Sequence, residues 1–123
     1  MSEYIKNRLK SFQYAFEGII TLIKGTANAR IHVFAALVAI AMGFWLKIST
    51  SEWVAITIVI GGVIALEAVN SAIEELADLI TKKQNSKIKI IKDLSAGGVL
   101  IMAIVALKVG LFIFVPKIIE LLN

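Results

Sequence analysis

Residues 53–80 read WVAITIVIGGVIALEAVNSAIEELADLI. The first half, residues 53–66, carries no charge and only Thr57 as a polar group. The second half carries Glu67, Asn70, Glu74, Glu75 and Asp78. An apolar run of this kind, uninterrupted by proline, predicts a helix that enters a bilayer and leaves it through a polar end. From Glu67 the steps to Asn70, Glu74 and Asp78 are three, four and four residues. At about 100° per residue these side chains fall within about 80° of one another, so one face presents three carboxylates and an amide over roughly 16 Å of axis. Glu67 lies about 21 Å along the helix from Trp53, at the inner edge of the hydrocarbon layer. A charge there costs ~3 kcal/mol even on insertion scales, so the default reading is a functional site turned toward the bundle interior. The spacing leaves a second reading open, in which the helix runs on into the cytosol and Glu74, Glu75 and Asp78 form a solvated face.

On the N-terminal side, Lys47, Ser49, Thr50, Ser51 and Glu52 predict a tight polar turn. Trp45 and Trp53 bracket it as aromatic residues do at a membrane–water boundary. Before the turn, residues 31–48 (IHVFAALVAIAMGFWLKI) form the expected first span, short for a bilayer crossing, and the small and polar residues from Gly25 to Arg30 break the pattern ahead of it. His32 reads as the polar start of that span. Residues 3–24, within an N-terminal segment 1–26, repeat Tyr4, Ile5, Leu9, Phe12, Phe16, Ile19, Ile20 and Ile23 near helical spacing, with Lys6, Arg8, Lys10, Gln13, Glu17 and Lys24 on much of the other face. Such a basic amphipathic helix suits the membrane interface. No short apolar core with a small-residue cleavage site precedes the first span, which is therefore expected to remain as an anchor.

On the C-terminal side, residues 81–92 (TKKQNSKIKIIK) are read as a basic loop with five lysines, and residues 93–121 as the third span. Gly61-Gly62 and Gly97-Gly98 suit close helix contact. Lys108 lies well inside the third span, where a lysine snorkels to the interface or finds a partner. Lysine and arginine are dense before the first span and between the second and third, while Lys47 alone lies between the first and second. The positive-inside rule then places the N-terminus and the 81–92 loop in the cytoplasm.

The composition agrees. Of 123 residues 59% are hydrophobic, and the mean hydropathy is +0.86. The expected fold is an all-α membrane protein, a single domain over 1–123, with an N-terminal amphipathic surface helix and three transmembrane helices. A soluble enzyme or a nucleic-acid binder is excluded by the three apolar spans. Cysteine is absent, so neither disulfide nor thiolate chemistry is available, and Pro116 is the one proline.

An acidic face beside a lysine-rich segment defines a restricted chemistry. Carboxylates hold Mg²⁺ and bridge it to phosphate oxygens. Lysines neutralise the remaining phosphate charge. A carboxylate at the membrane edge is placed to take a proton from a lipid hydroxyl. Together these describe phosphoryl transfer to a lipid alcohol, without a glycine-rich phosphate loop. An ion pathway would need polar residues along the whole span, which residues 53–66 do not supply.

The run Glu67-Ala-Val-Asn70-Ser71-Ala72-Ile73-Glu74, followed by Asp78 and by Lys92-Asp93-Leu-Ser-Ala-Gly97, resembles the small bacterial diacylglycerol kinase/undecaprenol kinase family. The resemblance extends over nearly the whole chain, to the ending FVPKII. It implies a homotrimer with sites between neighbouring protomers in the cytoplasmic (inner) membrane, and Mg²⁺-dependent transfer of the γ-phosphate of ATP to a membrane lipid. By resemblance Glu67 is the general base, Asn70 organises the site, and Glu74 holds the metal. Lys92 contacts the phosphates and Asp93 the nucleotide, Tyr14 matches an aromatic position near the nucleotide, and the loop Lys83-Gln84-Asn85 closes over it. Glu52-Trp53, Gly61-Gly62 and Phe114-Val-Pro116-Lys117 look more like the undecaprenol-phosphorylating branch than the diacylglycerol-phosphorylating one. One position departs: where the family reads E-[RK]-N-F-[RQ]-[IF]-H, this chain reads Thr26-Ala-Asn-Ala-Arg30-Ile-His32. A second metal-binding glutamate is thus replaced by Thr26, whose hydroxyl lacks the charge of a carboxylate. The alternative is a catalytically impaired homologue acting as a membrane binding or scaffold protein.

Overall fold

The computed structural model describes all of residues 1–123. Four helices follow one another: α1 Glu3–Gly25, α2 Ala27–Trp45, α3 Thr50–Ile80 and α4 Ser86–Leu122. The last three are long and apolar enough to cross a membrane. The all-helical expectation holds, and four boundaries move for local reasons.

The break before the first span is one residue long, not six. Thr26 alone is extended, and α2 starts at Ala27 rather than Ile31. Arg30 explains the sharp corner. Its guanidinium donates to the carbonyls of Ile23 and Lys24 at 3.1 and 2.8 Å, pairing oxygens that a helix end otherwise leaves open. At its other end α2 stops at Trp45, short of residue 48. Lys47 takes a left-handed conformation with φ 53°, which reverses the chain and which helix continuation would not allow.

The expected 81–92 loop is only residues 81–85. Asn85 caps α4, its side-chain oxygen accepting from the Lys87 and Ile88 amides. Lysine is a good helix former, so the basic residues after the cap continue the helix instead of breaking it. Lys87, Lys89, Lys92 and Asp93 therefore occupy the first turns of α4.

α3 starts at Thr50 rather than Trp53, because a capping box draws the end of the expected turn into the helix: Ser49 accepts from the Glu52 amide, and the Glu52 carboxylate accepts from the Ser49 amide. α3 and α4 share the most extensive contact, α2 lies against α3, and α1 leans on α2 and α3. A cluster of Ile48, Ile56, Ile113 and Phe114 forms the core, all of it near the turn between α2 and α3. Lipid is as apolar as a leucine side chain, so such packing is held by close fit rather than by exclusion of water. Trp53 does not merely mark the interface. It is half-buried, its ring lies over Gly43, where an added Cβ would stand 2.6 Å from Cη2, and it tilts against Phe44 at 4.8 Å. Gly62 admits Met102 in the same way, but nothing within the subunit approaches Gly61, Gly97 or Gly98, so the expected close helix contact there is not made inside one chain.

Candidate functional site

The acidic face of α3 changes character along its length. Glu67 is 2% exposed and Asn70 6%, the only buried polar side chains in the chain, whereas Glu74, Glu75 and Asp78 are exposed. Both readings left open by the spacing therefore apply, each to half the stretch. Glu67 follows Val59 and Val63 along the buried stripe of the helix, so the packing that hides those valines hides the carboxylate too.

Glu67 is poorly satisfied. Nε2 of His32, at the start of α2, stands 3.8 Å from Glu67 Oε2, outside hydrogen-bond reach. Glu67 Oε1 has no partner, and neither has Asn70 Oδ1. The Asn70 amide nitrogen donates to Glu74 Oε1 at 3.4 Å, joining the buried part of the face to the exposed part. Two neighbouring buried acceptors without donors are costly, and structures retain such groups mainly where a further partner arrives.

Farther along, Lys92 reaches back from α4 to Asp78 at 2.6 Å and clamps the two helices together. Lys92 belongs to the basic segment ahead of the apolar part of α4. The hydrogen bond to Asp78 holds its ammonium above the ordinary lysine range against partial desolvation, and the charges of Asp78 and Glu74 add to the effect. Asp93 pairs with Lys89 one turn earlier on α4. Thr26 Oγ1 lies 3.5 Å from Ser71 Oγ, so the corner between α1 and α2 abuts this end of α3.

The subunit thus gathers Glu67, Asn70 and Glu74, with His32 beside them, and separately joins Asp78 to Lys92. It does not bring the remaining candidates to that cluster. Tyr14 is 63% exposed on α1, and Lys83 and Gln84 are exposed in the 81–85 turn. Asn85 spends its side-chain oxygen as the cap of α4. No group of three or more His, Cys, Asp or Glu side chains forms a metal cage within one chain. Sequence reasoning did not foresee the His32–Glu67 approach, the Arg30 cap, or the use of Lys92 as a clamp. For His32 a signal existed: an i+35 pair has no periodicity, but both residues sit toward the same, lysine-rich end of adjoining spans.

A buried carboxylate and amide thus lie toward the polar end of a bundle of three helices long and apolar enough to cross a membrane, next to a lysine-bearing helix. The chain belongs to the prokaryotic diacylglycerol kinase family, which matches residues 13–114. It is similar to the undecaprenol kinase of Bacillus subtilis, at 40% identity over 108 residues and 88% of each chain. It is also similar to a diacylglycerol kinase of a Synechocystis species, at 32% identity over 117 residues, 94% of this chain and 67% of that one. The protein is a multi-pass membrane lipid kinase.

Proposed function

We propose that this lipid kinase transfers the γ-phosphate of ATP to undecaprenol, with Glu67 as the base. The observation that carries the reading is Glu67 itself, buried at the inner end of α3 with one oxygen unpartnered. The lipid hydroxyl donates its proton to that carboxylate. Its oxygen forms a bond to the γ-phosphorus as the bond from that phosphorus to the β-phosphate bridging oxygen breaks, and ADP leaves with the electron pair. Asn70 fixes the neighbouring Glu74 through its amide. The preference for undecaprenol over diacylglycerol is supported by the higher identity and fuller coverage of the undecaprenol kinase relative.

The donor set suits Mg²⁺ with nucleotide. Mg²⁺ keeps several waters and needs only one or two carboxylates beside the phosphate oxygens. Glu74, exposed and hydrogen-bonded on one oxygen, would hold it, and the ion would neutralise phosphate charge. Lys92 would meet the phosphates and Asp93 the nucleotide, with Tyr14, Lys83, Gln84 and Asn85 around it. Those residues come together across a homotrimer, in which a neighbouring protomer completes each site. α1 lies in the cytoplasmic interface, with the N-terminus and residues 81–85 on the cytoplasmic side.

The test is ATP-dependent phosphate transfer by the purified, detergent-solubilised chain, with undecaprenol and diacylglycerol in parallel. Faster turnover of undecaprenol supports the acceptor; preference for diacylglycerol removes it. Thr26→Glu belongs in the same assay. A carboxylate in place of the hydroxyl beside Ser71 should lower the Mg²⁺ concentration needed for half-maximal rate several-fold. Transfer that appears only in Thr26→Glu would instead establish the impaired-homologue reading, which the neutral Thr26 motivates.

A further inference from the structure

A groove of about 450 Å³ runs between α2, α3 and α4. Every residue lining it is hydrophobic except Gly110 and, at one end, His32. On α2 it extends from His32 to Met42, ~15 Å of helix. Small side chains keep it open, among them Ala39 on α2 and Ala106 and Gly110 on α4. The polar end is special. His32 lies 3.8 Å from Glu67, which follows the groove-lining Val63 by one turn and is 2% exposed with an unpartnered oxygen. The groove thus closes at His32, and the buried, unsatisfied carboxylate of Glu67 stands just behind that end without lining it.

We infer that this groove, inside a single subunit, holds the part of the acceptor lipid nearest its hydroxyl. The polarity of the groove matches one kind of occupant: a long apolar chain with a single hydroxyl at its tip. The hydroxyl reaches the His32–Glu67 end and satisfies Glu67, while the chain runs outward past Ala106 and Gly110 and leaves into lipid. A neighbouring subunit's apolar helix would match the walls but would carry no hydroxyl to the end. The inference rests on the lipid kinase activity and on Glu67 as its base. It makes groove width, set by Ala39, Ala106 and Gly110, a determinant of which lipids are accepted.

The experiment uses Gly110→Leu and, from the opposite wall, Ala39→Leu, each in the full chain, assayed with undecaprenol and with the short isoprenoid alcohol prenol. Gly110 stands ~10 Å outward from Ala103, the innermost lining residue of α4, so a leucine there obstructs the outer part of the groove and leaves the inner part free. The expected result is a KM for undecaprenol raised tenfold or more with kcat retained, and little change for prenol. Unchanged KM for both acceptors would overturn the inference. So would equal loss on both with dissociation of the oligomer, which would put a neighbouring helix in the groove. If the parent prefers diacylglycerol, the acceptor reading falls, and the groove is tested by the same variants with long-chain and short-chain diacylglycerols. A diazirine-bearing isoprenoid alcohol, crosslinked to the unaltered protein and mapped by mass spectrometry, is independent of variant folding. Label on Ala106, Gly110 or their α2 neighbours supports the groove, and label confined to the outward-facing Leu100 and Phe112 refutes it.

Discussion

At the end of the bundle that holds the turn between α2 and α3, polar groups answer one another and large side chains fill what small ones leave. Ser49 and Glu52 cap each other, Lys117 closes on Glu52 at 3.3 Å, and Trp53 occupies the space over Gly43. At the opposite end Glu67 and Asn70 are buried more deeply than any of these polar groups, yet each keeps an oxygen without a partner. The same helix, α3, passes through both regions, so the difference is not one of local propensity. One end is finished within the subunit; the other leaves two buried acceptors open. Folding stability should therefore concentrate at the first end and chemistry at the second, and substitutions can separate the two.

The largest expected effect is on activity. Glu67→Gln keeps the shape and removes the base. Transfer should fall by ~10²–10⁴, while thermal stability in detergent stays level or rises, because a neutral amide is cheaper to bury than an unpaired carboxylate. Retained turnover would sink the base assignment. A loss of stability equal to the loss of activity would mean that Glu67 belongs to the structural end after all.

Gly43→Val attacks the finished end. Its Cβ would meet the Trp53 ring, which is already held against Phe44 and cannot simply rotate away. Overpacking of this kind costs ~1–3 kcal/mol, read as a lower melting midpoint, with the rate per folded molecule preserved. Gly62→Ala is the internal comparison. Its Cβ meets the mobile end of Met102, which can move aside, and the shift should be the smaller of the two. Equal shifts would show that ring confinement is not what makes Gly43 necessary. Ser49→Ala removes the cap of α3 and should cost ~1 kcal/mol, with KM unchanged, since the cap lies at the far end of the bundle from Glu67.

How much of this was legible beforehand follows the same division. The spans and the buried Glu67 could be read because membrane burial prices each residue separately, and hydropathy and a misplaced charge are visible one residue at a time. The acidic face was legible as a face, but the point along it where burial gives way to solvent was not, because α2 decides that point. The helix ends were the least legible. Arg30 pairs with carbonyls six and seven residues earlier in the chain, and Asn85 turns a presumed loop into the start of α4; both depend on side-chain geometry that periodicity does not encode. Of the metal and nucleotide candidates only Glu74 touches the buried cluster in one chain.

The smallest effect tests what makes the finished end finished. Glu52 lies in the polar turn ahead of the apolar stretch of α3. Its carboxyl is held below the ordinary carboxylate value of 4.5, first by the Ser49 amide, then by the Ser49 hydroxyl, and less by the Lys117 ammonium. A group whose pKa is lowered by folding stabilises the fold above its unfolded value, and that contribution is lost as pH falls through the folded one. The melting midpoint should therefore be flat at neutral pH and decline as the pH drops below about 4.5, and Glu52→Gln should flatten part of that decline. Lys117→Met should leave most of it in place, because the amide outranks the ammonium and an ion pair near the surface contributes little. If Lys117→Met removed the decline, the ion pair between α3 and α4 would be the true closure of this end, and the contrast with the Glu67 end would rest on charge pairing rather than on a satisfied backbone.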